Sequence, residues 1–175
     1  MRHHGVPFPR LPLPSAQPGG AGQGESLETF QQWLGEAIPL VGHLGIKRMY
    51  WQGDSLVWDL ALSPNLNDKG TGFGGSLTAQ TTLIGWCWTA LWLRARLREQ
   101  DVVVAQASQR FLAPVTGDYR LECRPCQVDG PEQLQARLAS AGKGRLALVQ
   151  QLYLDDVLCL EAEGDYAVLP AISTG

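Results

Sequence analysis

Apolar and polar positions change period several times along the chain, and each change marks an element. The stretch SLETFQQWLGEAIP combines a capping serine at Ser26, early acidic residues and apolar Leu27, Phe30, Trp33 and Leu34 at helical spacing. It predicts a short helix ending before Pro39. Leu44, Ile46, Arg48 and Tyr50 then alternate with Gly45, Lys47, Met49 and Trp51. After a turn at Gln52 to Asp54, Leu56, Trp58, Leu60 and Leu62 repeat the alternation, so the two runs predict one hairpin. Ser76 to Gln100 holds no proline and one interior glycine, enough for about 37 Å of helix, and apolar residues cover nearly every face until Arg94. A helix apolar all round has to be wrapped. Period-two runs follow at Val102 to Gln109, Tyr119 to Cys123, Leu134 to Ala139, Leu146 to Leu154 and Val157 to Ala162, separated by TGD, DGP, AGKG and DD turns.

Helix, two strands, one long buried helix, then four or five strands predicts an α+β domain in which a curved antiparallel sheet surrounds a central helix. Met1 to about Gly24 is dense in Pro and Gly without periodicity. It is expected to be a flexible or extended arm, leaving one domain over residues 25–175.

Composition narrows the function classes. With 175 residues, 45% hydrophobic and 18% charged, one globular core is expected, and a net charge of -3 argues against nucleic acid or anionic lipid as general partners. The longest apolar run, Leu83 to Leu93, is too short to cross a bilayer, and prolines break any signal-like N-terminal stretch, so a cytoplasmic location is expected. Cys123 and Cys126 have CxxC spacing, but they lie in an alternating run and lack a second ligand pair, so no metal site is expected. His43 reads most simply as structural.

The chemistry gathers at NDKGTGFGGS, Asn67 to Ser76, on the loop entering the long helix. Gly74 and Gly75 would let a substrate carbonyl approach the main chain, and N–H groups of Gly74, Gly75 and Ser76 at a helix start carry partial positive charge. The plainer alternative is that Asn67 and Asp68 only form an Asx turn and the glycines only relieve backbone strain.

PNLNDKGTGFGGSL (Pro64 to Leu77) and RFLAPVTGD (Arg110 to Asp118), with a long helix between them, make the chain similar to hot-dog-fold thioesterases of the YiiD carboxy-terminal type, over about Leu34 to Leu169. The resemblance implies a homodimer with its acyl site between subunits and a small-molecule acyl thioester as substrate. Coenzyme A or phosphopantetheine then belongs to the substrate, and no separate cofactor is needed. In that family the domain often follows an acetyltransferase-like domain, for which this chain has no room, so this copy is expected to stand alone.

Thioester hydrolysis needs an activated water and donors for the developing oxyanion. Many hot-dog thioesterases carry a carboxylate about two turns into the helix, where this chain has Gln80, Thr81 and Thr82. The catalytic duty then falls on Asp68, with Asn67, Thr71, Ser76 or Gln80 holding water or carbonyl, or the site binds acyl groups without turnover. Phe73 completes the candidate binding set beside Thr71 and Gln80. The superfamily's dehydratase branch needs a histidine near this loop, and none is present. Arg110, Lys143 and Arg145 are candidates for the phosphates of the carrier arm, although a basic pair at a turn is also ordinary surface. Arg94, Arg96 and Arg98 are explained by the helix dipole. Trp86, Trp88 and Trp92 could line an acyl tunnel, but on a buried helix core or dimer packing is the commoner role.

Overall fold

A computed structural model describes residues 5–15 and 25–171. Among them run α1 (Leu27–Ala37), β1 (Ile46–Gln52), β2 (Ser55–Leu60), α2 (Gly74–Arg94), β3 (Val102–Phe111), β4 (Tyr119–Pro125), α3 (Gly130–Ala141), β5 (Gly144–Leu154) and β6 (Val157–Val168). The strands form one curved sheet in the order β1-β2-β4-β5-β6-β3, with every neighbouring pair antiparallel. The α+β architecture of a sheet around a long helix is therefore present. The predicted cap is also present: the Ser26 side chain accepts from the Thr29 amide, 3.2 Å.

Register explains the core. Trp58, Leu121, Leu152 and Leu160 stand opposite one another on β2, β4, β5 and β6, so one face of four strands presents a continuous apolar ladder to α2. All four are fully buried. Helix and sheet meet tightly at Gly85. A Cβ there would lie 2.0 Å from the Tyr166 hydroxyl oxygen, and one at Gly164 would lie 2.6 Å from the same ring. Tyr166 occupies the space the two glycines leave and donates from its hydroxyl to the Thr82 carbonyl, 2.9 Å.

Three expectations change. First, α2 is not wrapped on every side. Gly75 is exposed, and Thr78, Ala79, Thr82, Leu83 and Trp86, which continue its helical stripe, remain partly so. Second, the helix stops at Arg94 rather than near Gln100. The Arg98 amide bonds back to the Leu93 carbonyl and that of Leu97 to Arg94, with Leu97 left-handed at φ 56. This is a Schellman-type stop, and it uses a leucine where a glycine is usual, which removed the sequence signal.

Third, Leu134 to Ala139 is part of α3, not a strand. The Leu134, Ala136, Leu138 alternation was misleading, because the buried pair Leu134 and Leu138 is an i, i+4 stripe facing β5. What reads as a DGP turn is the helix start, with Pro131 in its first turn, and Gly142 at φ 68 is its left-handed cap.

Part of the proline-rich arm is laid against the domain. The Trp33 indole donates to the Pro9 carbonyl, and Arg10 pairs with Asp101. Arg94 donates to the carbonyls of Leu11 and Pro12 and pairs with the largely buried Glu25. Arg94 thus has specific partners beyond the helix dipole. His3 and His4 lie outside the described residues.

Gly85→Ala should place a methyl group inside the Tyr166 ring, at a destabilisation of about 3 kcal/mol measured by denaturant unfolding. A loss under about 1 kcal/mol would show that helix and sheet do not meet there.

Candidate functional site

The loop before α2 is built by asparagines. Asn65 is buried, donates its amide to the carbonyls of Leu44 and Ala61 (both 2.9 Å), and accepts the Phe73 amide on its own carbonyl, 2.7 Å. Leu66 and Gly72 face each other across a bridge, leaving residues 67–71 as a short excursion. Inside it, Asn67 Oδ1 accepts from the amides of Lys69 (2.9 Å) and Thr71 (3.0 Å), while Nδ2 donates to the Thr71 hydroxyl and the Gly72 carbonyl. Gly70 takes the left-handed conformation that closes the turn. Asn67 and Thr71 are thus occupied with each other, as the Asx-turn alternative anticipates. Asp68 lies on the excursion with its side chain 80% exposed and pairs with Lys69.

The return from the excursion sets the helix start. Phe73 precedes the first turn, and no side chain caps it. The N–H groups of Gly74, Gly75 and Ser76 have no acceptor within their own helix and face outward with the positive end of the dipole. Two exposed rings flank them: Phe73 lies where a Gly75 side chain would point, and Phe111 lies 3.6 Å from a Cβ built on Gly74.

From Gly75 an apolar groove of about 430 Å³ runs along the uncovered stripe of α2, within the size range of small-ligand sites. Its other wall is Ile38, Leu40, Val41 and Leu44 from the turn after α1, with Val104 of β3 beyond. Among the described residues, no charged side chain lines it.

Gln80 lies on the opposite face of the helix, fully buried. Its amide donates to the Leu44 carbonyl, 3.1 Å, and its Oε1 accepts the Tyr119 hydroxyl, 2.8 Å. Burial pushes the Tyr119 phenol up to about 12, with the Gln80 hydrogen bond acting the other way, so the phenol stays protonated and donating. Since the Leu44 carbonyl also accepts from Asn65, one acceptor ties loop, helix and sheet together. Gln80 positions the helix start from behind and does not line the groove.

The basic candidates divide between the two ends of the sheet. Arg110 adjoins Phe111 at the helix-start end and pairs with Glu161, holding that carboxyl below its usual range. Arg145 pairs with Asp165, 2.8 Å. Gly144 is in register with Val168, which pairs with Val102, so Lys143 and Arg145 stand at the far end of β3, about 30 Å from Phe111. AGKG is moreover a helix-to-strand junction, not a hairpin. Within one chain these two cations and the helix start are not brought together. The CxxC cysteines diverge, Cys123 buried and Cys126 exposed.

Residues 27–170 match the family described as putative thioesterase (yiiD_Cterm). The chain belongs to this family. Among solved structures it is similar to a Chlorobaculum tepidum protein of unknown function, at 25% identity and TM-score 0.75 over 82% of this chain and 94% of that one. It is also similar to a putative thioesterase from Shewanella oneidensis, at 28% identity and TM-score 0.70, covering 82% and 97%. A Pseudomonas aeruginosa protein described as a probable thioesterase shares the fold at 20% identity and TM-score 0.66, covering 82% and 95%. The hot-dog fold is thereby shown.

Both family strings acquire a physical role. PNLNDKGTGFGGSL forms the asparagine-held loop and the uncapped helix start. In RFLAPVTGD, Phe111 flanks that start, the Val115 carbonyl accepts the Gly72 amide at 2.8 Å, and Asp118 holds the beginning of the loop. Asp118 accepts from Lys47 at 2.7 Å and from the Leu62 amide at 2.9 Å. Sequence reasoning passed over Asn65, Tyr119, Phe111 and the groove face of α2. That face is visible as small residues at helical spacing, Gly75, Ala79 and Thr82; Asn65 and Phe111 stand inside the two family strings, but their roles, like that of Tyr119, follow only from the contacts.

The Lys47 and Leu62 hydrogen bonds hold the Asp118 carboxyl below its ordinary value of 3.8. The stability it confers is therefore complete above that value and is lost as pH falls through the lowered one. Asp118→Asn should melt earlier than wild type at neutral pH, and the gap should close below about pH 3.8. A gap that persists into strong acid would mean that ionisation of Asp118 is not its source.

Proposed function

We propose that this chain hydrolyses acyl thioesters of coenzyme A or of an acyl-carrier arm. The observation that carries the reading is that the uncapped helix start opens directly into an uncharged groove, with Gly75 belonging to both. The acyl chain lies in the groove and its thioester carbonyl faces the amides of Gly74 to Ser76. Water adds to the carbonyl carbon, the negative charge gathers on the oxygen facing those amides, and collapse expels the thiolate. The products are a carboxylic acid and a free thiol. Each such donor contributes about 2.7 to 4 kcal/mol to the transition state. Asp68, the one carboxylate on the loop, takes the proton from water at the mouth of the groove.

The active unit we propose is a homodimer. Among the described residues β3 is a sheet edge paired on one side only, and Val103, Val104 and Phe111 on it are each at least 40% exposed. Antiparallel pairing of two β3 edges would bring the partner's Lys143 and the partner's Arg145 toward the helix start, beside Arg110. Cations from both subunits would then meet the phosphates of the carrier arm.

A second reading, acyl binding without turnover, draws on the groove having no carboxylate in its lining and on the Asp68 side chain facing solvent beside Lys69. Thiol release from a panel of acyl-CoAs separates the two. Wild type is expected to release thiol, and Asp68→Asn to lower kcat by about 10² to 10⁴. Equal rates in the two proteins would remove Asp68 from the mechanism. Background rates together with thermal stabilisation by a non-hydrolysable analogue would identify a binding module.

A further inference from the structure

We infer that Trp86 closes the far end of the groove and sets the longest acyl chain this protein accepts; the inference rests on the acyl-thioester reading above. Gly75 and Trp86 are the first and last helix residues to line the groove, 11 positions apart, or about 16 Å along α2. That length matches an extended chain of about 12 carbons advancing about 1.3 Å each, the projection of a tetrahedral carbon–carbon bond. Between the two ends Thr78, Ala79 and Thr82 present small side chains and leave room; Trp86 presents the largest side chain of all.

Trp86 is also held in place. Its indole nitrogen donates to the Val102 carbonyl at the start of β3, 2.9 Å, so the ring cannot swing aside without leaving a polar group unpaired. Trp88 and Trp92 are buried and have other roles. Trp88 donates to the Asp54 carbonyl and packs edge-on against Trp51, while Trp92 lies under the Arg96 guanidinium. Of the three helix tryptophans, only Trp86 lines the groove. The uncharged lining admits the methylene chain, and the charged or polar part of the ligand must stay at the Gly75 end, where the amides are. Direction and length are thus both specified.

The test uses S-alkyl-CoA thioethers, which cannot be hydrolysed, with binding measured by calorimetry for chains of about 4 to about 18 carbons. In wild type the dissociation constant should fall by about fourfold per carbon at most, then level off or rise beyond about 12 carbons. Trp86→Ala should move that breakpoint outward by several carbons. Ala79→Phe, which fills the groove nearer its mouth, should move it inward. Trp86→Phe keeps most of the bulk and loses only the bond to Val102, so it should leave the breakpoint near wild type. Ala79→Phe carries the test alone if Trp86→Ala does not fold.

The inference is overturned if the breakpoint stays put in Trp86→Ala and in Ala79→Phe. It is equally overturned if binding shows no dependence on chain length, the result expected if a second copy of the chain fills the groove. Length-dependent binding that shifts as described, without thiol release from acyl-CoAs, would sustain the gauge and remove hydrolysis. Thiol release with an unmoved breakpoint would do the reverse.

Discussion

The contact between Gly85 and Tyr166 is the constraint on which the rest depends. A phenol ring standing on the sheet reaches the backbone of the central helix only because neither Gly85 nor Gly164 has a side chain, and its hydroxyl then bonds the Thr82 carbonyl. In a close-packed interior this fixes how deep α2 sits and how it is rotated. Gln80, Thr81, Ile84 and Trp88 turn inward, and the stripe from Gly75 to Trp86 is left uncovered. The groove is the remainder of a packing decision made one turn away.

The same logic governs the helix start. Ordinarily a Ser, Thr, Asp or Asn side chain would satisfy the first-turn amides. Phe73 occupies that position and offers nothing; Asn67 Oδ1 is taken up by its own turn, and Asn65, anchored through its amide to the carbonyls of Leu44 and Ala61, keeps a buried Oδ1 with no partner among the described residues. The loop is held firmly, and the donors are left open. Asp118 and the Val115 carbonyl secure it from the other family string, so two segments more than thirty residues apart build one edge of the site. A rigid loop presenting unsatisfied backbone donors is the arrangement that electrostatic stabilisation of an oxyanion requires.

Much of this was legible in the chain. The first helix and its Ser26 cap, the hairpin, the central helix and the strand alternation all follow local rules, and the Gly-Gly pair pointed to the helix start. What was not legible depended on contacts between distant residues. α3 reads as a strand in the sequence because Leu134, Ala136 and Leu138 satisfy a period of two, and only packing on β5 selects the spacing of four. The helix end leaves no mark in the sequence because Leu97 adopts a backbone state that glycine normally signals. Gln80 is a candidate because it stands about two turns into the helix, where the resemblance places a carboxylate, yet helical rotation turns it away from the groove and into the interior. The distance of Lys143 and Arg145 from the helix start follows from strand register, which no single chain segment encodes.

In the proposed mode of binding, an acyl thioester lies with its carbonyl at the helix start and its chain along the uncovered stripe. A crystal structure of the protein with a non-hydrolysable ketone analogue of a medium-chain acyl-CoA tests that placement directly. The carbonyl oxygen should lie about 2.7 to 3.1 Å from the amide nitrogens of Gly75 or Ser76, with the chain running toward Trp86. An analogue seated elsewhere, or a groove filled by the partner subunit with the carbonyl facing away from α2, would contradict it.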